Sequence, residues 1–124
     1  MAVHRVEIPL KLPSCNQYID ACRRNRYAGA KLKAETEDAI GVFINKLPKF
    51  EKPIEIDFTW VEGNRRRDYD GICFAKKFIL DALQKFGKIT NDNAKVVTAF
   101  RDNFEYGDDW KVVLEIVEVE DGEK

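Results

Sequence analysis

Between Ile54 and Trp60 apolar and polar residues alternate without a break, with Ile54, Ile56, Phe58 and Trp60 on one side and Glu55, Asp57 and Thr59 on the other. Side chains of a strand point to opposite faces in turn, so this segment has one face for a core and one for water. A lone strand cannot bury its apolar face; it needs neighbouring strands and a covering layer. The flanking sequence offers both. Val3 to Leu10 alternate as a strand, with Pro9, Pro13 and Ser14 marking its end. Lys95 to Phe100 and Trp110 to Val119 read as two further strands.

Helical patterns fill the intervals. Ser14 is a suitable N-cap for a short helix through Gln17, Tyr18, Ala21 and Cys22. The Gly29 region is expected to interrupt it. A longer helix then carries Leu32, Thr36, Ala39, Ile40, Phe43, Ile44 and Leu47 on one stripe and ends before Pro48. Gly63-Asn64 marks a bend. From Asp70, the residues Ile72, Ala75, Ile79, Ala82, Leu83 and Phe86 follow one helical face, and Gly87 is a fitting stop. The order strand, two helices, strand, helix, two strands predicts an α+β fold: a mixed or antiparallel sheet with helices packed against it.

The 124 residues fit one domain, residues 1–124, with an acidic tail at about 118–124. A hydrophobic fraction of 44% and a charged fraction of 35% are ordinary for a globular chain and exclude disorder as the main state. Cys15, Cys22 and Cys73 form no CxxC pair and leave an odd count, which argues against a disulfide framework or zinc ribbon and for a reducing compartment. The first ten residues build no signal-peptide core and no apolar run spans a bilayer, so the expectation is a soluble, cytoplasmic protein with no membrane partner. The net charge of −1 gives no global sign of nucleic-acid binding. Its distribution matters more. Basic residues gather at Arg23, Arg24, Arg26, Lys31 and Lys33, and again at Arg65, Arg66 and Arg67, leaving room for a local cationic face.

The segment Arg65-Arg66-Arg67-Asp68-Tyr69-Asp70 carries the most unusual chemistry. In an extended chain Asp68 and Asp70 point the same way, and two carboxylates so close repel unless a cation compensates. With oxygen donors and no His or Cys in the pattern, magnesium suits such a pair better than zinc. Taken alone, the pattern is better read as a cap or turn at Asp68 and a helix N-cap at Asp70. Lys77 lies seven positions after Asp70, on nearly the same helical face, whereas Lys76 is rotated away. A Lys77–Asp81 pair is the plain reading, and Asp81 holding Lys77 in place is the functional one. Asp92 by itself reads as a turn residue within Asn91-Asp92-Asn93. His4, near the terminus, reads as a surface or edge residue, the cysteines as packing residues, and Phe58, Trp60, Phe100 and Trp110 as core. Tyr69, between the carboxylates, is open.

Read together, Arg67-Asp68-Tyr69-Asp70, Lys77 to Leu83 (KFILDAL), Gly87 and Asn91-Asp92 resemble the D-x-D, lysine, D-A-L and later aspartate of the RusA family of Holliday-junction resolvases. Pro13-Ser14-Cys15-Asn16-Gln17-Tyr18 resembles that family's P-S-x-N-x-Y element, and the matches extend from about residue 8 to residue 116. The resemblance implies a homodimeric endonuclease, with phage-like associations, that nicks opposing strands of four-way DNA junctions using Mg2+, with Mn2+ as substitute and no small-molecule cofactor. It assigns Asp68, Asp70 and Asp92 to the metal, Lys77 to the active-site lysine, and Arg67 to the basic residue beside the first aspartate. Two features depart from the pattern: Gly71 stands where the family commonly has Asn, and the interval from Asp70 to Asp81 is longer by about one helical turn, which keeps Lys76 as a fallback for Lys77. On this reading Arg23, Arg24, Arg26, Lys31, Lys33, Arg65, Arg66, Arg67 and Lys76 contact the DNA backbone. The rival expectation is a non-catalytic nucleic-acid-binding module whose aspartates only cap and turn. A second rival is a structural or partner-binding protein that uses the acidic tail.

Overall fold

The computed structural model describes residues 2–120. Its elements are β1 (Val3–Ile8), α1 (Cys15–Arg24), α2 (Arg26–Ile44), β2 (Ile54–Glu62), α3 (Tyr69–Cys73), α4 (Lys76–Lys85), β3 (Val97–Tyr106) and β4 (Lys111–Glu118). The four strands form one mixed sheet in the order β1-β4-β2-β3. β4 runs antiparallel to both β1 and β2, while β3 pairs in parallel with β2, with α3 and α4 in the crossover between them. The α+β expectation with a mixed sheet holds.

The alternation in β2 works as read: Ile54, Ile56, Phe58 and Trp60 are all buried, together with Val6 and Ile8 from β1 and Leu114 and Ile116 from β4. α2 and α4 cover this face with Ile40, Ile44, Phe78, Ile79 and Leu83. Each such residue fully buried contributes about 1.5–3 kcal/mol. The opposite face mixes polar residues with the buried valines Val61 and Val113, and Asp57 there pairs with its register partner Arg101 at 3.3 Å.

Local signals explain most boundaries. Ser14 and Gln17 form a complete capping box, Gln17 N donating to Ser14 Oγ at 3.3 Å and Ser14 N to Gln17 Oε1 at 2.8 Å. α4 ends in a Schellman motif: Gly87 has φ +75°, its N–H donates to the Gln84 carbonyl, and Lys88 N donates to the Leu83 carbonyl. The interruption expected at Gly29 falls instead at Asn25, whose Oδ1 accepts from the N–H groups of both Tyr27 and Ala28 at 2.9 Å and starts α2 anew. Gly29 lies inside α2. A Cβ there would sit 3.2 Å from the Cys22 Cα and closer still to its Sγ, so glycine is what lets α1 and α2 approach.

Three other expectations shift. The single helix from Asp70 is two, α3 and α4, joined by tight i→i+3 turns in which Ala75 N donates to Ile72 O and Lys77 N to Phe74 O. β3 begins at Val97 and runs to Tyr106, further than expected. Phe100 is 52% exposed because it lies on an edge strand, and Cys22 is exposed at the end of α1, so neither belongs to the core; Trp110 is half-buried in the β3–β4 connection. His4, on edge strand β1, packs its ring edge against Phe50. Of the expected acidic tail, Glu118 belongs to β4 and accepts from the N–H groups of Glu51 and Lys52; residues 121–124 lie outside the described residues. Among the described residues no helix is long and apolar enough to cross a membrane.

Candidate functional site

The site is built at the end of β2. Glu62, the last residue of the strand, is almost fully buried and accepts two hydrogen bonds from Arg67, Nε at 2.8 Å and Nη2 at 2.7 Å. The remaining nitrogen of that guanidinium, Nη1, donates to the Leu12 carbonyl at 2.9 Å. One arginine therefore ties the arch of residues 63–68 to both the strand and the segment leading into α1. Within the arch, Asn64 Oδ1 accepts from Arg66 N in an Asx turn.

Asp68 follows in extended conformation at the N-cap position of α3, but its carboxylate caps nothing. Asp70 lies in the first turn of α3, and its Oδ1 accepts from Gly71 N at 2.9 Å. The extended period-two arrangement expected from the sequence is thus replaced by a strand-to-helix corner. Both carboxylates nevertheless line one hollow of about 350 Å³, together with Ser14, Cys15, Asn16, Arg66, Arg67 and Gly71. Among the described residues neither carboxylate has a cationic partner. A Cβ at Gly71 would meet nothing within 4 Å, so the asparagine usual in the resembled family has room there.

Asp92 is not brought to this hollow. It is exposed in the loop before β3, where its own N–H donates to Asn91 Oδ1 at 2.7 Å. Among the described residues no three of His, Cys, Asp and Glu converge tightly enough to hold a metal ion. Asp68 and Asp70 share the hollow with the oxygen-bearing side chains of Ser14 and Asn16, and a pair of carboxylates is compatible with magnesium, which binds through one or two carboxylates while keeping waters and substrate phosphate oxygens.

The two lysines divide as the helix break dictates. Lys76 turns inward: its Nζ donates to Asp102 Oδ2 at 2.7 Å and lies 3.8 Å from the Phe100 ring centroid. Asp102 also accepts from Trp60 Nε1 at 2.9 Å. Beside this network burial, and then the charge of Asp102, pushes the Cys73 thiol up to about 11. Lys77 turns outward, more than half exposed, with its ammonium 3.4 Å from Asp81.

The basic clusters also separate. Lys33 is directed to Glu37 and, at 3.1 Å, to Asp81. Burial lowers its pKa, but the hydrogen bonds to these two carboxylates more than offset that and leave it raised. Arg26 donates to the Tyr27 hydroxyl, and Lys31 lies 3.9 Å from Glu35. Arg23 and Arg24 close α1 on the surface; Arg24 and Lys31 line a second, open groove between α1 and α2 that also carries Asp20 and Glu35. Arg65 lies over the Tyr106 ring at 3.9 Å, and Arg66 is exposed at the hollow. Arg67, Lys76 and Lys33, all candidate DNA contacts by sequence, are thus taken up by internal acidic partners. Glu62 and Asp102, which anchor two of them, had no local signal in the sequence: one is a buried acid at the end of β2, the other a half-buried acid within β3.

A scan against protein-family models gives no match for this chain, and a search of curated proteins gives none either.

Proposed function

We propose that the chain is a magnesium-dependent DNA endonuclease that acts on four-way junctions, in the cytoplasm and as a two-fold dimer. One observation carries the reading. The P-S-x-N-x-Y element and the D-x-D element are about fifty residues apart in sequence, yet Ser14 and Asn16 face Asp68 and Asp70 across a single hollow. These are the segments on which the resemblance to the RusA resolvases rests, and convergence of separated motif elements is what a shared site requires.

In this reading Asp68 and Asp70 hold magnesium, which when bound supplies positive charge beside the scissile phosphate and makes a water more nucleophilic. Arg66 contacts the phosphate backbone at the rim. Arg67 acts at one remove: clamped to Glu62 and the Leu12 carbonyl, it fixes the arch and therefore the position of Asp68. Lys77, more than half exposed and paired only with Asp81 on its own helix, is the lysine placed to reach a phosphate, whereas Lys76 is held inward by Asp102. Arg23, Arg24 and Arg65 extend the sequence-independent contacts, which weaken steeply with salt. A junction presents two equivalent strands and one chain has one such hollow, so a two-fold dimer supplies the second cut.

The experiment is incubation of the protein with a four-way junction and a matching linear duplex, with magnesium or chelator. Paired nicks confined to the junction, dependent on magnesium and at least about 100-fold slower in Asp70→Asn, are expected. Full cleavage by Asp70→Asn would sink the assignment. The lack of a third converging carboxylate among the described residues favours one alternative, a non-catalytic DNA-binding module, for which metal changes neither binding nor DNA integrity.

A further inference from the structure

Tyr69 stands between the two carboxylates in sequence but turns away from their hollow. Its ring stacks on Phe104 of β3, with centroids 4.0 Å apart and planes within 14° of parallel. Tyr69 is still 54% exposed. A ring covered on one face by a parallel neighbour, and that open to solvent, has its other face outward. Phe104 belongs to a row on the edge strand: Phe100, Asp102, Phe104 and Tyr106 alternate along β3 and share one side of the sheet. At one end of the row the Tyr106 ring lies under Arg65 at 3.9 Å. The result is a pre-ordered aromatic ledge flanked by Arg65 and, on the hollow side, by Arg66.

Packing alone does not account for this arrangement. A tyrosine that served only to pin α3 on the sheet would gain most by burying its ring, since the stabilisation scales with apolar area removed from water. Tyr69 instead keeps more than half of its surface in solvent while its orientation is fixed on one face. Large rigid rings with few rotatable bonds bind at low entropic cost, and every nucleobase has a π-face to offer. The neighbouring charge is complementary to a phosphate backbone: Arg65 and Arg66 precede Tyr69 along the chain, and its two chain neighbours, Asp68 and Asp70, line the hollow.

We propose that the outer face of Tyr69 is a stacking platform for one unpaired base of branched DNA, seated so that the adjoining backbone phosphate reaches the hollow of Asp68 and Asp70. The proposal rests on the endonuclease reading and adds a source of selectivity to it. Fully paired duplex keeps its bases stacked on one another and cannot use the ledge, whereas a branch point exposes bases at little cost. Preference for junctions over duplex then comes from stacking rather than from hydrogen bonds to base edges, and is tolerant of sequence.

The test uses a four-way junction with 2-aminopurine at the branch point and a linear duplex of the same arms, both in chelator so that nothing is cut. Wild type, Tyr69→Phe and Tyr69→Leu are compared, and thermal melting confirms that each variant is folded. Expected are lower 2-aminopurine fluorescence in the wild-type and Tyr69→Phe complexes than in the Tyr69→Leu complex, and roughly 5- to 100-fold weaker junction binding by Tyr69→Leu with little change on duplex. Equal fluorescence and equal junction affinity for Tyr69→Leu and wild type would overturn the stacking platform and leave the endonuclease reading standing, provided wild type still nicks the junction with magnesium. If wild type binds neither DNA, both readings fall together.

Discussion

Along the seam between α2 and α4, Asp81 lies 3.1 Å from Lys33 and 3.4 Å from Lys77, Glu37 is held between Lys33 and Lys85, and Lys85 also reaches Asp38 at 2.9 Å. At the β2–α3 corner three arginines precede two aspartates, yet Arg67 is drawn to Glu62, Arg65 to the Tyr106 ring, and Asp68 and Asp70 have no cationic partner among the described residues. The seam neutralises its charge locally; the corner spends its best cation on fixing the backbone and leaves two carboxylates uncompensated beside each other. Carboxylates left without an ion-pair partner in a concave site suit an external cation better than a fully paired cluster, which has already found its counter-ions.

The contrast can be broken most forcefully at its anchor. Arg67→Met leaves Glu62 buried without a counter-charge, and denaturant unfolding should show a loss of about 3–5 kcal/mol; a loss below about 1 kcal/mol would mean the clamp does not hold the arch. Next in size is a reactivity difference near the corner. Raising the Cys73 thiol from 9.0 to about 11 leaves about a hundredfold less thiolate at pH 8, so iodoacetamide should label it about 100-fold more slowly than an ordinary thiol, as followed by mass spectrometry. The sign is fixed by the direction of the shift: labelling should keep rising up to about pH 11, and folding stability should fall across pH 9 to 11 as the unfolded thiol ionises first. A labelling rate that levels off near pH 9 would remove the role of burial and Asp102.

Within the seam, Lys33→Met should cost about 1–2 kcal/mol, because Glu37 keeps Lys85 and Asp81 keeps Lys77. Lys77→Ala should cost only a few tenths of a kcal/mol, as exposed i,i+4 pairs do; a slowed nicking rate in that same folded variant would identify it as the site lysine. Smallest of all, Asp70→Asn should change the melting free energy by less than about 0.5 kcal/mol, since no partner is lost. A clearly destabilised Asp70→Asn would show that the carboxylate is structural after all.

The strand of Ile54–Trp60 and the caps at Ser14 and Gly87 were legible in the sequence because their signals are local: period-two alternation, a reciprocal capping box, and a residue that accepts positive φ. The break between α3 and α4 was not, because the apolar stripe continues through Ile72, Ala75 and Ile79 with no proline or glycine at the joint. Counting 100° per residue across that joint is invalid, so the inward turn of Lys76 to Asp102 and the outward turn of Lys77 follow from the break and not from the count. That Ser14 and Asn16 share a hollow with Asp68 and Asp70 was not legible, because no local pattern says which separated segments meet. The Lys33–Glu37 pair follows i,i+4 spacing, but the contacts of Lys33 with Asp81 and of Lys76 with Asp102 depend on which acid each finds across the fold, and spacing does not encode that.

The sheet order also bears on how the chain reaches this state. β4, the last strand along the chain, lies between β1 and β2, so Val6 waits for Leu114 and Trp60 for Val112 before either can form its central ladder. Nearly the whole polypeptide must loop back before the middle of the sheet exists, a high contact order of the kind that gives folding times of milliseconds to seconds. During synthesis β1 and β2 emerge long before their shared partner, with hydrogen-bonding edges and apolar faces uncovered. Substitutions that weaken β4 should therefore lower soluble yield more than their effect on the finished fold would suggest.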